Sequence, residues 1–360
     1  MDLTEIAKVR LSAQQVGDSK FKTTQELVQW MGAMQAQNYS MAKWAVGVRL
    51  PNFTDQIIQK AIDEGNIIRT HVLRPTWHLV AAEDLRWMLK LTAPRIQRSL
   101  KSRHKQLELT SSVISKSKNL LEKGLADGHH LTRNELKNEF EKAKIETGNN
   151  RMSHILLGAE LDGLICSGRS KGKSQTYALF DERVPKTKSF TRDEALAALA
   201  QRYFSSHGPA TVHDFAWWSG LTLTASRKAL KMVKGSFISE TVDSQTYWFS
   251  HSSPIAELDK PSVHLLPAYD EFIISYTDRR AALAAEHNDK AISKNGMFWP
   301  VIVVNGQVAG LWKRTVRKTK VIVEMDPFHP LSKEINDLIE QAAASFGDFL
   351  GKKTEFFYKS

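Results

Sequence analysis

The 360-residue sequence has almost no cysteine and no long apolar run. Its one cysteine, Cys166, excludes a disulfide within the chain and a metal cluster built on several thiolates. No stretch approaches the roughly 18 apolar residues that a membrane-spanning helix needs. The polar N-terminal segment also lacks the apolar core of a signal peptide. We therefore expect a cytoplasmic protein that works without a membrane.

The common catalytic signatures are missing as well. The sequence has no Walker phosphate loop, no Rossmann glycine fingerprint, no HExxH zinc motif and no GxSxG elbow. The histidine pair His129-His130 comes just before a helix cap, which is more typical of solvent-facing side chains than of metal ligands. Cys166 lies in an apolar strand pattern, which favours a packed thiol over a nucleophile. We predict neither a metal nor a cofactor.

What the sequence has in excess is positive charge. The formal net charge is +11 and the isoelectric point about 9.5. This excess favours a polyanionic partner, with nucleic acid first and an anionic membrane surface second. A basic enzyme with scattered surface charge fits the composition equally well. The membrane surface is the weaker alternative, because no basic amphipathic helix with an aromatic face stands out.

Three segments of the chain repeat one order of elements. Each has a capped helix, a polar break, a second helix and two β-rich pieces around a polar turn. In the second segment Thr132 and Glu135 form a capping box, and in the third Thr211 is a cap residue. This order is the winged-helix pattern, and three copies are more informative than one. A generic α+β domain with hairpins is the alternative.

The pattern changes after about Ser262. Asn305-Gly306 is a strong hairpin-turn signal among β-rich segments, and an amphipathic helix follows near the C-terminus. We predict an α+β fold of tandem winged-helix repeats, each a helix-turn-helix plus a β-hairpin, then a small antiparallel β domain with a C-terminal helix. The predicted bounds are 1–85, 129–188 and 189–260 for the three winged helices, 86–128 for a basic helical connector and 261–360 for the β-rich C-terminal domain.

The stretch "MQAQNYS" places two glutamines, Gln35 and Gln37, two positions apart. In an unbroken helix their side chains would point in nearly opposite directions. Asn38-Tyr39 and the cap-type Ser40 indicate that one helix ends near Gln35 and the next begins after Ser40. In the turn between them both amides can face the same side, as in an extended chain. Amides that cap nearby backbone groups are the simpler alternative.

A second unusual cluster lies in "AYDEFIISYTDRR". Asp270, Glu271, Asp278 and Arg279 stand among aromatic residues. Ion pairs that fix the end of a strand are the simplest interpretation.

Five blocks of the sequence resemble, in order and spacing, the signature blocks of a bacterial winged-helix DNA-binding family that includes the AlkZ-like DNA glycosylases. These blocks are "MQAQNYSMAKWAVGVRL", "IIRTHVLRPTWHLVAAEDLRWMLKLTAPR", "GPATVHDFAWWSGL", "LLPAYDEFIISYTDR" and "VVNGQVAGLW". Such enzymes remove alkylated purines and unhook interstrand crosslinks. The resemblance extends from about Lys8 to Thr319. It implies a catalytic glutamine–aliphatic–glutamine motif, which Gln35-Ala36-Gln37 fits.

The resemblance implies a monofunctional DNA glycosylase that hydrolyses the N-glycosidic bond of cationic N7-alkylpurines. The implied partner is double-stranded DNA with alkylated bases, bound by a monomer that associates with the nucleoid. A non-catalytic winged-helix protein, regulatory or architectural, is the alternative. The residues expected to contact DNA lie on three hairpins: Arg69, Arg74, His78, Lys171, Lys173, Lys313, Arg314, Arg317 and Lys318.

Overall fold

The computed structural model describes residues 1–251 and 261–359, and it has the mixed α+β architecture that the sequence predicts. The strands in these two ranges form four separate sheets. Within the same ranges, no helix combines the length and the apolar character that crossing a bilayer requires.

The first group of elements follows α1 (Leu3–Ala13) and has a three-stranded antiparallel sheet of order β1-β3-β2. The side chain of Asn38 accepts the backbone N–H of Met41 and so caps the second helix of the group. The sequence predicted Ser40 for this role, two residues later. The elements are α2 (Thr24–Met31), β1 (Met34–Gln35), α3 (Tyr39–Gly47), α4 (Asp55–Glu64), β2 (Ile67–His71) and β3 (Trp77–Ala81).

The second group follows the long helix α5 (Ala82–Gln106). Its elements are α6 (Ser111–Leu125), β4 (Leu131–Thr132), α7 (Arg133–Lys142), α8 (Arg151–Leu161), β5 (Ile165–Ser167), β6 (Thr176–Leu179) and α9 (Phe180–Arg183). The capping box of Thr132 and Glu135 is present at the start of α7. Leu121 and Leu125 of α6 share a core with Phe140 of α7. α6, which the sequence placed in a connector over 86–128, therefore packs against α7.

The third group has the same order as the other two. Its elements are α10 (Arg192–Ser206), α11 (Val212–Ser219), α12 (Leu223–Val233), a 3₁₀ turn (Lys234–Ser236), β7 (Phe237–Val242) and β8 (Gln245–Ser250). A bridge between Ala210 and Trp248 takes the place of the short first strand. Thr211 caps α11 as predicted. The predicted boundary at residue 260 lies outside the described residues.

The C-terminal part is a five-stranded sheet of order β13-β12-β11-β10-β9. Its elements are β9 (Val263–Leu266), α13 (Glu271–Ile274), a 3₁₀ turn (Ala285–His287), α14 (Asn288–Ala291), β10 (Val301–Val304), β11 (Gln307–Val316), β12 (Lys320–Pro327), α15 (Lys333–Leu350) and β13 (Lys353–Tyr358). Asn305 and Gly306 form the predicted turn, both with positive φ. The prediction of a purely antiparallel sheet was wrong, because β13 pairs parallel to β12. The crossover helix α15 returns the chain to the same end of the sheet, and so the two strands run in one direction.

Two apolar cores join these parts next to the Gln35–Gln37 segment. Trp44 of α3 packs with Trp312 of β11 and Phe346 of α15, and its indole N–H donates to the backbone oxygen of Leu265. A larger core joins Leu73 of the first group to Trp218 of α11. The third group and the C-terminal sheet therefore both meet the first group at this segment.

Candidate active site

The backbone around the two glutamines changes direction twice. α2 ends at Met31, and Gly32 takes a φ of +74°, which only glycine adopts without cost. Gln35 then lies in β1, where it pairs with His78 of β3. The prediction that Gln35 closes a helix was therefore wrong. Gln37 lies in the bend between β1 and α3 and is exposed, so the predicted turn is present but follows a strand, not a helix.

Two charged residues of opposite sign hold Gln35. Its backbone N–H donates to the Oε1 atom of Glu271 at 2.5 Å. Its side-chain oxygen accepts a hydrogen bond from Nη2 of Arg74 at 2.8 Å. Only 6 % of Gln35 is exposed. The amide is thus fixed at its backbone and at its oxygen, at the edge of the protein interior.

Glu271 is the buried charge beneath Gln35. Its Oε2 atom accepts the indole N–H of Trp218 at 3.1 Å and the hydroxyl of Ser275, and it lies 3.6 Å from Nε2 of His207. Burial raises the pKa of the Glu271 carboxyl, but His207 and these donors more than offset it and hold the pKa at about 2. The carboxylate is therefore ionised at neutral pH. The sequence singled out Glu271 only as a member of an acidic cluster.

The two aspartates of that cluster form ion pairs, but with arginines outside it, so the interpretation that the four residues pair with one another was wrong. Asp270 binds the guanidinium of Arg49 through both oxygens at 2.8 Å, and both side chains are buried. Asp278 pairs with Arg280. Arg279 instead lies over the rings of Trp217 and Phe298.

Gln37 is held much more loosely than Gln35. Its side-chain oxygen faces the backbone N–H of Trp77 at 3.5 Å, the upper limit for a hydrogen bond. The backbone N–H of the preceding residue, Ala36, donates to the backbone oxygen of Trp77 at 2.6 Å. The backbone of this segment is thus fixed to β3, while the Gln37 amide is free to contact a ligand.

Arg69 and His78 lie further inside than the sequence predicted. Arg69 is 8 % exposed; its Nε atom donates to the backbone oxygen of Ala36 at 3.1 Å, and its guanidinium lies 4.0 Å from the Trp77 ring centre. His78 is 0 % exposed, and its Nδ1 atom lies 2.9 Å from the Thr76 backbone oxygen. These two side chains therefore support the glutamine segment from within. His78 is fully buried, and only a small part of Arg69 is exposed.

The remaining predicted cations lie on the surface. Lys171 and Lys173 are exposed on the turn between β5 and β6, where Lys171 pairs with Glu135. Lys173 also lines a cavity of about 400 Å³ together with Arg69 and Trp77. The other four are on the hairpin of β11 and β12: Lys313, Arg314, Arg317 and Lys318.

Arg314 connects the C-terminal hairpin to the glutamine segment. Its Nη2 atom donates to the hydroxyl of Ser40, three residues after Gln37, at 2.7 Å. Lys313, Arg317 and Lys318 on the same hairpin are exposed. Arg74 thus contacts Gln35, and Arg314 connects the hairpin that carries the other three cations to the segment after Gln37.

The lone thiol and the one group of possible metal ligands among the described residues involve neither glutamine. Cys166 is fully buried, and burial raises the pKa of its thiol to about 12, so it stays protonated at neutral pH. Among the described residues, the one group of His, Cys, Asp and Glu side chains close enough to bind a metal ion is Glu286, His287 and His329. It lies in the C-terminal part and includes neither glutamine.

The pKa of His78 predicts a dependence of stability on pH. Burial first, and then the nearby Arg74 charge, lower the pKa of His78 to about 3, against about 6.5 in the unfolded chain. As the pH falls below 6.5 the unfolded state takes up a proton that the folded state refuses, and so the free energy of unfolding decreases. Between pH 7.5 and pH 5 this single group should remove about 2 kcal/mol.

Urea unfolding at the two pH values measures this loss. The variant His78→Asn lacks the titrating group, and its free energy of unfolding should change less between pH 7.5 and pH 5 than that of the wild type. Equal changes in the two proteins would show that His78 titrates normally when folded.

Comparison with known proteins gives one family. The family described as DNA glycosylase AlkZ-like matches residues 28–349. A curated protein of Streptomyces sahachiroi, named interstrand DNA cross-link repair glycosylase, is 25 % identical over 302 residues, covering 78 % of this chain and 79 % of that protein. The solved structure of Streptomyces sahachiroi DNA glycosylase AlkZ superposes over 100 % of both chains, with a TM-score of 0.80 and 20 % identity. The family match spans most of the chain, and the structural match shows a shared fold.

Proposed function

The chain belongs to the AlkZ-like DNA glycosylase family and is a DNA glycosylase, and we propose that Gln35 and Gln37 are its catalytic residues. We propose that it hydrolyses the N-glycosidic bond of cationic N7-alkylpurines. The observation that carries this proposal is the contrast between the two amides. Gln35 is fixed by Glu271 and Arg74, while Gln37 is exposed two residues further on. A fixed amide and a free amide suit the task of placing a water molecule against a bound nucleotide.

The chemistry explains why amides suffice. A neutral amide cannot act as a base at neutral pH, and ordinary glycoside hydrolysis uses two carboxylates. An N7-alkylpurine already carries a positive charge and departs as a neutral base, so its departure requires no protonation. Water forms the new bond to C1′, the electron pair of the old bond goes to the base, and the proton goes to solvent. The amides need only orient the water and stabilise the positively charged sugar.

The hydrogen bonds of Gln35 leave its side-chain oxygen able to orient a water molecule. A carbonyl oxygen can accept two hydrogen bonds, and Arg74 uses one of them. The second is available to a hydrogen of the attacking water, and the oxygen of Gln37 is available to the other hydrogen. The lone pair of the water then points to C1′. Because undamaged purines leave as anions, the same site should act poorly on undamaged DNA.

DNA binding is proposed to use the surface cations around the glutamines. We propose that the three repeated groups are winged helices, over 1–85, 111–188 and 189–260, with the C-terminal sheet from 261 closing the site. Four exposed cations would contact phosphates: Lys173, Lys313, Arg317 and Lys318. The resulting affinity for DNA would decrease as the salt concentration rises and would not depend on the base sequence. Arg314 would hold the hairpin beside the site through Ser40. We also propose that a monomer acts.

Interstrand crosslinks are the proposed second substrate. The curated relative from Streptomyces sahachiroi carries that activity in its name. Gln37 is exposed in a surface bend, so the water could reach a glycosidic bond at the DNA surface. A crosslinked base, which cannot rotate fully out of the duplex, could then still be released.

Strand breakage after alkali treatment tests the function. We expect wild-type protein to create abasic sites at N7-methylguanine in a duplex, seen as strand breaks beyond those in the same alkali-treated duplex without protein. It should also separate the strands of a duplex crosslinked through purine N7 atoms. The matched undamaged duplex should stay intact. Absence of breaks on every alkylated duplex, with the protein still bound to DNA, would instead favour a non-catalytic DNA-binding protein.

A further inference from the structure

An exposed tryptophan lies next to the proposed site. Trp217 of α11 is 43 % exposed, whereas its neighbour Trp218 is fully buried. The indole N–H of Trp217 donates to the backbone oxygen of Ile274 at 2.8 Å. The ring therefore has its polar atom satisfied by the protein and is held in one position. What it presents to solvent is an apolar aromatic surface.

Trp217 is connected to Gln35 through Arg74. The guanidinium carbon of Arg74 lies 5.7 Å from the centre of the Trp217 ring, and its Nη2 atom donates to the Gln35 oxygen. Arg279 lies 5.9 Å from the same ring centre and 5.2 Å from that of Phe298. Both guanidiniums are near the limit of a cation–π contact, which leaves much of the ring surface uncovered.

The same helix also supports the glutamine from below. Trp218 donates to Glu271, whose other oxygen accepts the backbone N–H of Gln35. Trp218 thus contacts the buried carboxylate that binds Gln35, while its neighbour Trp217 lies beside Arg74 and faces solvent. Trp217 donates to Ile274 and lies beside two guanidiniums, and 43 % of it is still exposed to solvent.

We propose that Trp217 is the stacking surface for the purine of the alkylated nucleotide, a proposal that rests on the proposed function. A flat purine stacks on an indole, and a cationic purine adds attraction to the π-system. Arg74 and Arg279 at the rim would pair with the phosphates on either side of the nucleotide. These phosphates would neutralise the two guanidiniums, so that the cationic base does not meet unscreened positive charge.

Three variants test this surface. Trp217→Leu keeps an apolar side chain and removes the ring, Trp217→Phe keeps a smaller ring, and Trp299→Ala removes another tryptophan that is also 43 % exposed. Binding is measured to three duplexes that differ at one position: N7-methylguanine, guanine or an abasic site. Base release from the first duplex is measured under single-turnover conditions, as the maximal rate and the half-saturating protein concentration.

We expect Trp217→Leu to weaken binding to the N7-methylguanine duplex by roughly 5- to 150-fold, the range of base–aromatic stacking of about 1–3 kcal/mol. Its binding to the abasic duplex, which has no base to stack, should change less than twofold. Trp217→Phe should keep most of the affinity, and Trp299→Ala should bind all duplexes like the wild type. A merely structural role of Trp217 would weaken binding to all three duplexes equally.

Each outcome decides one proposal. Wild-type affinity for the N7-methylguanine duplex in Trp217→Leu would overturn the stacking surface and leave the glycosylase proposal untouched. Loss of affinity for the abasic duplex to the same extent would overturn it too. A wild type that releases no base from any alkylated duplex would overturn the catalytic proposal, while the binding comparison would still decide the role of Trp217.

Discussion

Replacing Gln35 and Gln37 together with alanine should lower the single-turnover rate of base release by at least roughly 10³-fold. Removing one preorganised group that stabilises charge in a transition state typically costs on the order of 10²–10³-fold in rate. Here both groups that orient the water and face the developing sugar cation are lost. Binding to undamaged DNA should change little, because the phosphate contacts remain. The rate is measured on a duplex with one N7-methylguanine.

The single substitutions should differ in kind. Gln35→Ala removes the acceptor that Arg74 binds, so it frees a guanidinium at the site and should also disturb binding of the lesion. Gln37→Ala changes an exposed side chain with one long hydrogen bond, so it should lower the rate with little effect on stability. Gln97→Ala is the control, because this amide bonds to Asp162 on the surface between α5 and α8. Wild-type rates in the double variant would exclude both glutamines from catalysis.

Replacing Asp270 with asparagine should reduce the free energy of unfolding by about 3–5 kcal/mol, the usual result of removing one partner from a buried ion pair. Asp270 binds Arg49 through two hydrogen bonds of 2.8 Å, and the two side chains are 1 % and 0 % exposed. The substitution leaves the Arg49 charge buried without a counter-ion. Asp270 also caps α13 by accepting the N–H of Phe272. Urea unfolding at pH 7.5 measures the effect.

A surface ion pair provides the matched control for Asp270. Asp193 and Lys228 form a pair at 2.6 Å, with side chains 56 % and 55 % exposed. Asp193→Asn should cost less than about 1 kcal/mol, because water screens this pair. Equal losses from the two substitutions would show that the Asp270 pair is not desolvated. Glu271 follows Asp270 directly in the chain. We therefore expect Asp270→Asn to shift the Glu271 carboxylate that binds Gln35, and so to lower the activity as well.

Local signals in the sequence were enough to predict several helix ends. The capping box of Thr132 and Glu135 and the cap residue Thr211 involve residues three positions apart, so the sequence contains all the participants. The position of Gln35 could not be predicted in this way. β1 has two residues and exists because Met34 pairs with Leu79, which lies far along the chain. Strand β13 was missed for the same reason, since its partner β12 precedes a whole helix.

In the candidate site, too, the sequence predicted the features that depend on neighbouring residues and not those that depend on distant ones. Gln37 is exposed in a bend, as the neighbouring turn residues predicted. Glu271 could not be assigned a place beneath Gln35, because 236 positions separate the two residues. Trp217 gave no signal, since a pair of adjacent tryptophans does not reveal which ring faces solvent. His78 carries a polar group that the sequence placed toward DNA, whereas its pairing with Gln35 puts it in the interior.

Detection of the free base tests the central claim most directly. Wild-type protein is incubated with duplex DNA that contains N7-methylguanine, and the released bases are separated and identified by mass. We predict time-dependent release of free N7-methylguanine with an equal amount of abasic sites, no release of guanine, and no release above background by the Gln35→Ala, Gln37→Ala double variant. Release at the same rate by the wild type and the double variant, or no release by the wild type, would contradict the account.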